Sequence, residues 1–154
     1  MSKIRTVQPD IVILAANWLA YHEKEITEGV LSETLKTLKD AGVRRVVVFG
    51  QAPVWKLTQP SVYLMVWRRL DKTTERTKLY FDSNSVRIDN LVNKTVTSLN
   101  ATFISPIKSL CNEQGCLLVA GQNIPVTGDR DHLTVEGSKL LIESSKSKIF
   151  DYSL

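Results

Sequence analysis

The sequence predicts an α/β fold, a three-layer arrangement of one parallel sheet with helices on both faces, and three observations carry that expectation. The first is Ile11-Val12-Ile13-Leu14, a continuous apolar run entered through Pro9-Asp10. Its lack of alternation is the pattern of a strand covered on both faces, so it is read as a central parallel strand. The second is the stretch from Val30 to Ala41, where Leu31, Leu35 and Leu38 fall at helical spacing while Glu33, Lys36 and Lys39 face outward. Gly42 then supplies the stop of an amphipathic helix. The third is Arg44 to Gly50, a second two-sided strand through Val46-Val47-Val48-Phe49. Strand, helix and strand in this order form a βαβ unit, which crosses over right-handed into a parallel sheet.

The remaining elements follow the same logic. Pro53 and Pro60 bracket a loop holding Trp55, and Ser61 to Leu70 reads as a short helix with Tyr63, Val66, Trp67 and Leu70 on one side. Asp71 to Arg76 is polar and charged, a surface connection. Ile88, Leu91, Val92, Val96 and Leu99 recur at helical spacing and predict a helix from about Ser85 to Leu99, with Ser83 or Ser85 as its N-cap. Ala101 to Ile107 reads as a further strand, Leu117-Leu118-Val119 as a short apolar run, and Thr134 as the cap of a final helix through about Ser145. No internal repeat or low-complexity segment interrupts this order.

With 154 residues the chain has the size of one domain, expected here over residues 1–154. Apolar residues at 43% and charged residues at 23% exclude a disordered tail, a collagen-like rod or a coiled coil. The net charge of +4 is spread along the chain, so no nucleic-acid partner is expected. The apolar run Ile11 to Tyr21 is 11 residues long, short of the roughly 20 that span a bilayer. Lys3 and Arg5 precede it, but Gln8-Pro9-Asp10 intervenes and no A-x-A-like site follows, so no export signal is expected in this chain. Neither G-x-G-x-x-G nor G-x-x-x-x-G-K-[ST] occurs, which disfavours a cytosolic nucleotide-binding domain.

Cys111 and Cys116 flank Asn112-Glu113-Gln114-Gly115, a turn-forming tetrad. Two thiols with no histidine nearby do not complete a zinc site, and no metal or other cofactor is expected. They stand either as reduced cysteines in a cytosolic protein or as a small disulfide loop in an oxidising compartment. His22 reads as a surface residue, and Trp18, Trp55 and Trp67 as core or rim residues, although an indole face can also stack on a sugar ring.

The stretch richest in chemistry is Gly128-Asp129-Arg130-Asp131-His132-Leu133-Thr134-Val135-Glu136-Gly137. An aspartate three residues before a histidine, in a loop entering a helix, can bond the imidazole Nδ1 and leave Nε2 free as a general base. The alternative is a solvated surface pair. The block Asp129 to Thr134 with Gly137 resembles the final motif of SGNH (GDSL-like) hydrolases, where D-x-x-H-L carries the aspartate and histidine of a Ser-His-Asp triad. Taken with Pro9 to Ala16 ending in Trp18, Val46 to Phe49 leading to Pro53, and Leu110-Cys111 with Cys116, the set resembles the SGNH domain fused to acyltransferase family 3 O-acetyltransferases. The likeness runs over about residues 9–142.

That resemblance implies a flavodoxin-like parallel sheet and an acyl esterase or O-acetyltransferase domain acting on cell-surface glycan such as lipopolysaccharide O-antigen. It further implies a carbohydrate acceptor, an acyl donor and a membrane acyltransferase domain in the full-length protein. The compartment would be the periplasm, with Cys111 and Cys116 as a disulfide; expressed as given, the chain would stay cytoplasmic. His132 and Asp129 would be catalytic, and Asn17 a candidate oxyanion donor. The chain departs from the pattern in one respect: no Gly-Asp-Ser occurs, and Asp82-Ser83 is the only Asp-Ser pair. The expectation is therefore the C-terminal portion of such a domain, with its N-terminal strand and nucleophile block missing and little activity alone. The alternative is a non-catalytic SGNH-like module that binds glycan or a partner protein.

Overall fold

A computed structural model describes residues 2–70, 74–121 and 124–150. In chain order the elements are α1 (Ser2–Val7), β1 (Ile11–Leu14), a 3₁₀ turn (Trp18–Ala20), α2 (Glu23–Thr27), α3 (Val30–Asp40), β2 (Arg45–Phe49) and α4 (Gln59–Leu70). There follow β3 (Arg76–Thr77), α5 (Asn84–Ser98), β4 (Thr102–Ile104), α6 (Pro106–Leu110), β5 (Cys111–Asn112) and β6 (Gly115–Leu117). The chain closes with β7 (Val119–Ala120), β8 (Ile124–Pro125) and α7 (Val135–Phe150). They divide into two compact units, Met1–Gln51 with Arg87–Ser105, and Ala52–Val86 with Pro106–Leu154.

The first unit holds the parallel sheet, ordered β1-β2-β4, with Val12 opposite Val46 and Val48 opposite Phe103. Leu31, Leu35 and Leu38 of α3 and Ile88, Val92 and Val96 of α5 form one cluster with Val46 and Val48. Each such side chain contributes about 1.5–3 kcal/mol by leaving water. Val47 and Phe49, which point the opposite way along β2, are buried as well. The expected two-sided strand is therefore β2. Ile11 to Leu14, expected at the centre, is an edge among the described strands, and Ile13 is 49% exposed.

Polar groups close the carboxyl end of this sheet. The Trp18 indole donates to the Phe49 carbonyl (2.8 Å), and the Gln51 side-chain oxygen accepts the Leu19 N–H (2.8 Å). Ser105 donates to the buried Asp89 carboxylate (2.5 Å). A Cβ at position 50 would meet that carboxylate at 2.0 Å and the Phe103 ring at 2.7 Å, so only glycine fits there.

The second unit is built on short antiparallel pairs, β3-β6-β5 and β7-β8, with α4, α6 and α7. The disulfide Cys111–Cys116 joins opposed residues of β5 and β6, with Cα atoms 3.9 Å apart. Trp55, Val62, Val66, Cys116 and Leu118 form one core; Leu110, Ala120 and Val126 form a second. Several expectations are corrected here. The strand expected from Ala101 to Ile107 ends at Ile104, because Pro106 opens α6, where its missing N–H costs nothing. The helix expected from Ser61 begins at Gln59, and the final helix runs on to Phe150. Part of the connection Asp71 to Arg76 lies outside the described residues, and Arg76 itself belongs to β3.

An apolar edge strand with unpaired backbone groups is a template for pairing with another chain. Concentration-dependent association is therefore expected by size-exclusion chromatography with light scattering, and Ile13→Lys should shift the protein toward monomer. A wild-type chain that stays monomeric at every concentration would contradict this.

Candidate active site

The loop from Thr127 to Thr134 is fixed before any chemistry is considered. Thr127 pairs with Leu133 as an isolated bridge, and the Gly128 N–H donates to the His132 carbonyl (2.9 Å). Thr134 caps α7 as the sequence predicts, its hydroxyl accepting the Gly137 N–H (3.0 Å) and donating to the Pro125 carbonyl (2.7 Å). A Cβ on Gly137 would lie 2.1 Å from the Val126 carbonyl, which accounts for the glycine at the end of the motif.

The segment Trp55 to Gln59 holds the loop from beneath. The Trp55 N–H donates to the Arg130 carbonyl (2.9 Å), and Arg130 Nε returns a bond to the Trp55 carbonyl (3.0 Å). The Gln59 N–H donates to the Asp129 carbonyl (2.9 Å). The buried Gln59 side chain accepts the Thr127 N–H (2.6 Å) and donates to the Leu117 carbonyl (2.9 Å).

On that platform Asp129 uses its two oxygens differently. Oδ1 accepts the N–H groups of Asp131 (3.0 Å) and His132 (2.8 Å); Oδ2 lies 2.8 Å from His132 Nδ1. The backbone N–H of Asp131, then that of His132, then the imidazole hold the Asp129 carboxyl well below the usual carboxylate range. The hydrogen bond and charge of Asp129, followed by the charge of Asp131, raise His132 above its ordinary value of 6.5. An ionised carboxylate only accepts, so the proton of the neutral imidazole sits on Nδ1 and the Nε2 lone pair is free. The His132 side chain is 80% exposed, open to a reacting hydroxyl.

Nδ1 and one oxygen each of Asp129 and Asp131 lie within 4.8 Å of one another. These atoms already satisfy each other, and nothing about them requires a cation. Asn17 is exposed in the first unit, just past β1, where its carbonyl accepts the Ala20 N–H (3.1 Å). Trp18 and Trp55 are core residues; Trp67 is exposed on α4. His22 is exposed and caps α2, paired with Glu25 in a capping box.

Neither Ser83 nor Ser85 takes the predicted capping role. Asp82 Oδ1 accepts the Asn84 N–H (3.0 Å) at the start of α5, and Ser85 is buried within the helix, accepting the Val54 N–H (3.1 Å). Gln59 and Asp89 were missed by sequence reasoning. Asp89 had a signal, for it continues the buried stripe Ser85, Asp89, Val92 and Val96. Gln59 had none, since its partners lie 58 and 68 residues away.

The loop thus presents a histidine bound through Nδ1 to a carboxylate, with Nε2 facing away from it. The chain belongs to the family of SGNH domains fused to AT3 domains, whose model matches residues 2–144. Among solved structures it is similar to the periplasmic domain of the lipopolysaccharide acetyltransferase of Salmonella ser. Paratyphi A. The two share 28% identity with a TM-score of 0.88, over 96% of this chain and 59% of that one. The chain thus spans about three fifths of that relative's length. Comparison with curated proteins gives no match.

Gln59→Leu removes both side-chain bonds under the loop, leaving the Thr127 N–H without an acceptor. A loss of about 2–4 kcal/mol in chemical denaturation is expected, with the m-value unchanged.

Proposed function

We propose that this chain carries the acid–base half of an acyl-transfer site in a glycan O-acetyltransferase. The observation that supports it most is the Asp129–His132 contact at 2.8 Å with Nε2 left free on a loop tied to Gln59 and Trp55. A serine from outside these 154 residues attacks the acyl carbonyl while Nε2 takes its proton. His132 then returns that proton to the leaving group. In the second half it takes the proton of a sugar hydroxyl as that oxygen attacks the acyl-serine, and gives that proton to the serine oxygen as the ester bond to it breaks. Asp129 stabilises the imidazolium in both halves, and the Asn17 amide is the candidate donor to the oxyanion. The acceptor is a carbohydrate of the lipopolysaccharide type, and the acyl donor is handed on by a membrane acyltransferase domain. The periplasm suits this assignment, because the Cys111–Cys116 disulfide belongs to an oxidising compartment. No helix among the described residues is long and apolar enough to cross a membrane.

The absence of Gly-Asp-Ser favours a second reading, a non-catalytic module that binds glycan or a partner protein. Binding that survives His132→Ala, in a protein that never turns over ester, would support it.

Hydrolysis of p-nitrophenyl acetate by the 154 residues alone is expected at background, and to appear when a serine-bearing segment is joined to them. In that form His132→Ala abolishes turnover, and Asp129→Asn costs on the order of 10⁴-fold, as in serine proteases where the wrong tautomer results. Because His132 must be deprotonated to act and its carboxylate partner raises its pKa, kcat/KM should fall with decreasing pH at a higher pH than for an unpaired histidine. If the unmodified chain hydrolyses the ester and Ser83→Ala removes that activity, the nucleophile lies in Asp82-Ser83 instead.

A further inference from the structure

Asp129 is not the only carboxylate on the imidazole. Asp131 Oδ1 lies 3.1 Å from the same Nδ1 that Asp129 Oδ2 approaches to 2.8 Å. We infer that Asp131 is a second positioning carboxylate for His132, sharing with Asp129 the work of keeping the imidazole proton on Nδ1. This rests on the reading of His132 as the base.

The division of labour in Asp129 makes a second carboxylate useful. Its Oδ1 is committed to two backbone N–H groups, so a single oxygen remains for the imidazole. That oxygen belongs to a half-exposed side chain and competes with water for an 80% exposed histidine. The Asp131 side chain is only 25% exposed, and its backbone is fixed by the bond from its N–H to Asp129. Asp129 alone accepts a hydrogen bond from Nδ1, and the Asp131 charge 3.1 Å from the same nitrogen favours the proton on that side of the ring even when the Asp129 contact lengthens in a fluctuation.

Arg130, between the two aspartates, directs its Nε to the Trp55 carbonyl, and Lys139 on α7 pairs with Glu136 at 3.2 Å. The charges of Asp129 and Asp131 both favour the protonated imidazole. The second carboxylate therefore has a cost: it keeps His132 protonated to a higher pH and narrows the range in which it acts as a base.

Long-range ¹H–¹⁵N spectra of the 154-residue protein report both the tautomer and the titration of His132, with the exposed His22 as the only other histidine signal. Asp131→Asn should move the His132 midpoint to lower pH and raise the population protonated on Nε2. In an Asp129→Asn background the same substitution should act more strongly, because it removes the last carboxylate from Nδ1. Asp131→Glu retains the charge and should stay close to wild type. An unchanged midpoint and tautomer in both backgrounds overturns the inference. So does a Glu variant that behaves like the Asn variant, which would trace the effect to loop packing. Turnover plays no part in these readings, so an extended but inactive enzyme would sink the acyl-transfer reading while leaving Asp131 in this role.

Discussion

One carboxylate organises the site. Asp129 binds the two backbone N–H groups that shape the turn and the imidazole that the turn presents, so local fold and candidate chemistry rest on the same side chain. Preorganisation of this kind leaves little to rearrange when a proton moves. It also explains why the spacing matters. A carboxylate three residues ahead of the histidine reaches both its N–H and its ring, whereas the nearer Asp131 meets the ring alone.

The loop in turn depends on a segment far away in sequence. Trp55 and Gln59 offer main-chain bonds to Arg130 and Asp129, and the Gln59 side chain spans from Thr127 to Leu117. A buried amide that satisfies two separate backbone groups tolerates few replacements, because each orphaned group carries its own desolvation penalty. The positioning of His132 is thus a property of α4 and β6 as much as of its own loop.

How much of this was legible in the sequence follows from the range of the forces involved. The β2 strand, the helices α3 and α5 and the Thr134 cap were visible because burial periodicity and capping act within a few residues. The Asp129–His132 pair was visible for the same reason. The antiparallel pairs were not, since strands of two or three residues leave no periodic trace and are set by partners in distant segments. β1 is an edge among the described strands, while the unbroken apolar run that composes it reports hydrophobicity and not the number of neighbours a strand has in the sheet. The cap of α5 went to Asp82 rather than a serine because Ser85 was claimed by Val54, 31 residues back.

The short ladder that carries Leu117 has too few main-chain bonds to persist unaided. The Cys111–Cys116 link closes a small ring at its end, and such a closure stabilises by about 2 kcal/mol through the chain entropy it removes from the unfolded state. Leu117, the next residue, is where Gln59 takes hold. The oxidation state of two sulfur atoms is therefore coupled to the rigidity of the His132 loop: with both thiols reduced, the chain keeps the residues of that loop but loses the covalent brace next to its support.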